Sequence, residues 1–140
     1  MSYTTQMDAA RQGIITPEMK AVAASEHIAE DELRELIALG QVIIPANKNH
    51  KCLKPNGIGS RLRTKINVNL GTSRDWTDLD MEMEKVKSAV DMGAEAIMDL
   101  SSCGDTQKFR RKLTSECPAT IGTVPIYDAV VYYHIKRHHR

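Results

Sequence analysis

A parallel α/β fold is predicted by three observations. The apolar runs Lys65–Leu70 (KINVNL), Ala94–Leu100 (AEAIMDL) and Ile121–Tyr127 (IGTVPIY) recur at near-constant spacing. Turn residues follow each run, and the stretches between them carry helical periodicity. Strand, helix, strand, helix, strand joined by right-handed crossovers makes a parallel sheet.

Composition sets the frame. The chain has 140 residues, 41% hydrophobic and 26% charged, which suits a folded domain with its own core. No apolar stretch approaches the roughly 18 residues of a membrane span. The N-terminus MSYTTQMDAARQG has neither a basic nor an apolar leader region, so the cytoplasm is the expected compartment. Cys52, Cys103 and Cys117 are odd in number and lack CxxC spacing, which predicts three reduced thiols and no sequence-local metal site. The net charge of +1 is uneven: residues 1–134 carry 16 Lys and Arg against 18 Asp and Glu, and the basic excess lies in the tail Ile135–Arg140 (IKRHHR).

The first forty or so residues read as short helices. Thr16 before Pro17 is a helix start, with Met19, Val22 and Ala23 on one face. A second helix is expected from Ala29 to Leu39, with Leu33, Leu36 and Ile37 at helical spacing and Gly40 ending it. Gln41–Ile44 reads as a short strand stopped by Pro45. From Leu36 to Arg74 there is no acid, while Lys48, Lys51, Lys54, Arg61, Arg63, Lys65 and Arg74 supply positive charge. An anionic ligand and a basic loop balanced by acidic helices are equally good readings. Nucleic acid is not expected as a partner, because only Trp76 lies near the segment and stacking platforms need interleaved aromatics.

Thr77-Asp78-Leu79-Asp80 resembles a capping box, and Leu79, Met83, Val86 and Val90 follow at helical intervals before Gly93. The methionines of this helix are expected in the core. The next helix should start near Asp105, bury Phe109 and Leu113, present Lys108, Arg110, Arg111 and Lys112 to solvent, and end before Pro118.

Parallel sheets bind ligands at the carboxyl ends of their strands. Asn69, Met98 and Tyr127 lie there, separated by 29 residues each, and are expected at equivalent heights. An amide, a polarizable thioether and a phenol suit binding of a small heterocycle better than proton abstraction. Asp99, one residue off that register, can instead cap the following loop.

Six collinear motifs carry a resemblance: Thr5-Gln6-Met7, Gly13-Ile14-Ile15-Thr16-Pro17-Glu18-Met19, Ile44-Pro45-Ala46-Asn47-Lys48-Asn49-His50, Lys65-Ile66-Asn67-Val68-Asn69-Leu70-Gly71, Ala96-Ile97-Met98-Asp99-Leu100-Ser101 and Ile121-Gly122-Thr123-Val124-Pro125-Ile126-Tyr127. Over residues 4–133 the chain resembles the phosphomethylpyrimidine synthases of thiamine biosynthesis. The resemblance implies a mostly helical N-terminal region (1–62), then the first three strands and two crossover helices of a TIM (β/α)₈ barrel (63–133), left incomplete. It also implies radical chemistry from S-adenosylmethionine at a [4Fe–4S] cluster, with zinc, on 5-aminoimidazole ribotide. Asn69, Met98 and Tyr127 become substrate-binding residues, and a homodimer of the full-length enzyme is one option. No catalytic residue is assigned.

Ligands for cluster and zinc are not among the matching motifs, and Cys52, Cys103 and Cys117 have the wrong spacing to replace them. The tail 134–140, with His138 and His139, reads as a truncation or frameshift scar, with a genuine basic C-terminus or a metal-binding tail as alternatives. Two other functions stay open: 5-hydroxybenzimidazole synthase of cobamide biosynthesis, which shares the substrate motifs, and a non-catalytic remnant or binding module.

Overall fold

The computed structural model describes residues 3–138, which fall into two compact units: Met1–Asn47 with Lys54–Lys65, and Lys48–Leu53 with Ile66–Arg140. The first holds α1 (Gln6–Arg11), α2 (Pro17–Glu26), α3 (Glu30–Ala38), β1 (Val42–Ile43) and β2 (Ile58–Gly59). Thr16 caps α2 as its sequence predicts: its hydroxyl accepts the Met19 N–H at 3.2 Å and donates to Gln6 Oε1 at 2.6 Å. Thr16→Ala is expected to cost about 1 kcal/mol, read as a lower denaturant midpoint for α2. The expected stripes meet in one core, where Met19, Val22 and Ala23 pack with Leu33, Leu36 and Ile37. Gly40 ends α3 in the left-handed region at φ +73°. The short strand appears at Val42–Ile43 and pairs antiparallel with Ile58–Gly59, a partner its sequence does not announce.

Much of the basic stretch in this unit is neutralised by helix acids. Arg61 pairs with Glu32, and Lys65 Nζ lies 2.5 Å from Glu26, whose other oxygen accepts the Arg63 N–H at 2.8 Å. Burial alone would push the Glu26 carboxyl up. The Lys65 and Arg63 hydrogen bonds and charges outweigh it and hold the pKa below the ordinary value of 4.5. A depressed carboxylate stabilises the fold above its unfolded pKa and loses that contribution as pH falls through the folded one. The denaturant midpoint of α2 is therefore expected to drop as pH falls below 4.5, and Glu26→Gln to flatten that part of the pH profile.

The second unit holds β3 (Asn67–Leu70), α4 (Leu79–Asp91), β4 (Ala96–Asp99), α5 (Thr106–Glu116), β5 (Thr120–Thr123) and α6 (Pro125–His138). Its three strands form the expected parallel sheet in the order β3-β4-β5. The core joins Leu70 and Ile97 to Met83 and Val86 of α4 and to Phe109 and Leu113 of α5. Strand residues alternate between faces, so Asn69 and Met98 lie on the face opposite this helix-packed core.

Four details differ from the sequence reading. The cap of α4 is Asp78, one residue after Thr77, because its carboxylate reaches the N–H groups of Asp80 and Met81 at 3.0 Å each. Met83 is core, but Met81 and Met92 are exposed. Arg110 is not on the solvated face of α5; it turns into an ion-pair network. The third strand ends at Thr123, and Pro125 opens a helix where the apolar run suggested more strand. Proline fits the first helical position because its missing N–H has no partner to lose there.

The segment Lys48–Leu53 packs on the end of α5. His50 Nε2 lies 2.6 Å from the Cys117 carbonyl oxygen, and the Cys52 thiol donates to the same oxygen at 3.2 Å. All three cysteines are free thiols, and burial pushes the Cys117 thiol up. Among the described residues no helix is long and apolar enough to cross a membrane. The side chains of the basic tail 134–140, including His138 and His139, lie outside the described residues.

Candidate functional site

The carboxyl ends of β3 and β4 are laced together by their loops. Leu100 N–H donates to Leu70 O at 2.7 Å, Ser102 N–H to Thr72 O at 3.0 Å, and Thr72 N–H to Ser101 Oγ at 3.1 Å. The Thr72 hydroxyl closes the lacing on Cys103 O at 2.5 Å. Gly71 makes the close approach possible. Its φ is +142°, and a Cβ there would sit 2.4 Å from Ser101 N. Its own N–H donates to the buried carboxylate of Glu82 on α4 at 2.9 Å, and Lys85 pairs with that carboxylate at 2.6 Å. The loops thus hold the strand ends at a fixed height.

On this scaffold Asn69 and Met98 are direct cross-strand partners, as the spacing requires. Asn69 is exposed and accepts the Asn67 side-chain N–H at 2.8 Å. Met98 is half-buried, and its thioether lies over Gly122 of β5. A Cβ at 122 would come within 2.7 Å of the methionine methyl and 2.8 Å of the sulfur. Gly122 is the register partner of Met98 and makes room for it. Glycine inside a strand marks such an approach, and that is the signal a sequence reading could have used.

Tyr127 is placed differently from the expectation. The ladder opposes Met98 with Gly122, so Tyr127 is not at an equivalent height on a strand. It sits in the first turn of α6, 41% exposed, with its N–H bonded to Val124 O at 3.0 Å. The equal spacing of 29 reflects the repeat only as far as β4, because the loop after β4 is shorter than the one after β3 and α5 has 11 residues against 13 in α4.

Asp99 caps its loop as anticipated, accepting the Ser101 N–H at 2.9 Å, with its side chain fully buried. Its second oxygen receives Arg110 Nε at 2.7 Å, and Arg110 Nη1 reaches Asp128 of α6 at 2.5 Å. Burial works against the Arg110 charge, but Asp128 and Asp99 outweigh it and raise its pKa above the ordinary value. Nothing local in the sequence marks Arg110, since its partners lie 11 and 18 residues away.

Two concavities flank these groups. A groove of about 640 Å³ runs along the outer edge of β3, between Val68 and Asn69 on one side and Met81, Lys85 and Met92 of α4 on the other. A second, of about 410 Å³, lies beside the loop after β4 and is lined by Ser102, Thr106, Arg110, Asp128 and Tyr132. Only Asn69 of the three expected residues lines the larger one, so volume alone does not mark the site. Among the described residues no three His, Cys, Asp or Glu side chains gather as a metal would need. Cys52 and His50 both address one carbonyl, and burial pushes the Cys117 thiol up, against the thiolate a metal needs. These groups do not fit an iron–sulfur cluster or a zinc ion.

Comparison with known proteins gives a consistent result. Residues 5–140 match the profile described as the radical SAM ThiC family. The phosphomethylpyrimidine synthase of Clostridioides difficile (strain 630) is 64% identical over 94% of this chain, and that of Alkaliphilus oremlandii (strain OhILAs) is 65% identical over 95%. The corresponding protein of Clostridium kluyveri (strain NBRC 12016) is 59% identical over 95%. The chain spans 30% of the length of each of these relatives. With nearly every residue matched, the chain belongs to the radical SAM ThiC family.

Proposed function

We propose that this chain is the substrate side of a phosphomethylpyrimidine synthase, holding 5-aminoimidazole ribotide while the rest of the full-length protein supplies the radical chemistry. The observation that carries the reading is 59–65% identity to proteins of that name across almost the whole chain. The strand-end geometry supports it: Asn69 and Met98 are paired on the face that α4 and α5 leave open. In this reading the three strands begin a (β/α)₈ barrel. The Asn69 amide hydrogen-bonds the heterocycle, the Met98 thioether walls its face, and the Tyr127 hydroxyl meets a polar edge. Family membership brings S-adenosylmethionine and an iron–sulfur cluster, which together supply a radical when bound. In this reading the cluster ligands come from the rest of the full-length protein; among the described residues no three His, Cys, Asp or Glu side chains gather as a metal would need.

Two measurements test this. The ribotide, titrated into the 140-residue chain, should shift the Met98 methyl and Tyr127 ring resonances, while reconstitution of the chain with iron and sulfide should give no cleavage of S-adenosylmethionine. The full-length protein should convert the ribotide to the hydroxymethylpyrimidine phosphate. Hydroxybenzimidazole as its product overturns the assignment, as does cleavage of S-adenosylmethionine by the short chain.

A further inference from the structure

We propose that Arg110 is a positioning residue of the substrate site, tying the strand end that carries Met98 to the helix start that carries Tyr127. The proposal rests on the assignment of those two residues to the ligand. Arg110 acts in each case on the residue that follows: Asp99 after Met98, and Asp128 after Tyr127. Asp99 is fixed, because its backbone is in the β4 ladder and its fully buried carboxylate also caps the loop at Ser101. Asp128 is the movable end. Ile126, Val130, Tyr132 and Tyr133 of α6 are more than half exposed, and no described residue of this helix belongs to the buried core of the unit. Among the described side chains a polar clamp ties it down: Arg110 Nη1 lies 2.5 Å from one Asp128 oxygen and the Thr106 hydroxyl 2.9 Å from the other.

The guanidinium is suited to this because its donors point in fixed directions within one plane, so two carboxylates bound to it are oriented relative to each other. A lysine ammonium would still neutralise Asp99 but has no rigid fork to span both acids. A merely stabilising charge and a positioning bridge therefore make different predictions for the same substitution. If Arg110 only compensates the buried charge, Arg110→Lys should resemble the parent throughout. If it positions Tyr127, Arg110→Lys should keep β4 intact and release the start of α6, and Asp128→Asn should do the same while leaving the Asp99 pair untouched.

The test uses the 140-residue chain with isotope labels in the methionine methyls and tyrosine rings. In Arg110→Lys and in Asp128→Asn, the Tyr127 ring signals should move and the first-turn amides of α6 should exchange at least about tenfold faster. The β3–β4 ladder amides should keep their protection. Ribotide affinity should fall by about tenfold or more in both variants, as expected when a ligand must select a fraction of the ensemble. Unchanged Tyr127 signals, or unchanged affinity in variants whose Tyr127 has moved, overturn the proposal. If the ribotide leaves the parent Met98 methyl unshifted while Tyr127 still moves in the variants, the substrate reading fails and the bridge itself stands.

Discussion

Gly71→Val is expected to leave the second unit without its native sheet. At φ +142° a β-branched residue is strained, which costs roughly 1–3 kcal/mol. Its Cβ would also lie 2.4 Å from Ser101 N and 2.8 Å from Leu100 C, backbone atoms that the loop lacing prevents from yielding. Overpacking of this kind adds roughly another 1–3 kcal/mol. Against a total stability of about 5–15 kcal/mol, the combined loss is large. Gly93→Ala is the control: it has φ +95° and open space, so it should show the strain without the collision. Near-ultraviolet circular dichroism and amide spectra would report both, and equal effects at the two positions would refute the steric account.

Arg110→Ala carries the second large effect. Removing the guanidinium leaves the Asp99 carboxylate fully buried with its Ser101 N–H but without its cation. Breaking one side of a buried pair typically costs about 3–5 kcal/mol, most of it the stranded charge. Adding Asp99→Asn to Arg110→Ala should therefore recover much of the loss. Denaturant midpoints of the two single variants and the double variant measure this coupling. A double variant less stable than Arg110→Ala alone would show that the stranded charge is not the cause.

What the sequence made legible follows from how local each interaction is. The Thr16-Pro17 start of α2 and the Leu33, Leu36 and Ile37 stripe are written in spacings of a few residues, the parallel sheet of β3, β4 and β5 in the recurrence of apolar runs between helical stretches, and all are present. The Asn69–Met98 pairing was also legible, because both strands end at the same phase of the repeat. The height of Tyr127 is not legible, because an apolar run containing Pro125 looks the same as strand or as helix start, and only the ladder partner of Met98 separates them. The place of Arg110 is hidden for another reason. A cation on an amphipathic helix belongs to solvent unless a distant acid captures it, and here the acids come from β4 and α6. Likewise the basic stretch is balanced in part by Glu26 and Glu32, whose proximity no linear pattern records.

The parallel register also has a kinetic meaning. Asn69 pairs with Met98, so no backbone bond of the β3–β4 ladder can form until the intervening 13-residue α4 and its connections have closed. Hairpins can zip from a two-residue turn, but this pairing must first meet the whole loop-closure cost, which makes such sheets intrinsically slow to form. During synthesis, the strand bearing Asn69 emerges well before its partner and waits unpaired. The order in which the ribosome releases the chain therefore exposes β3 longest, and the early, amphipathic α4 is the element able to shelter it.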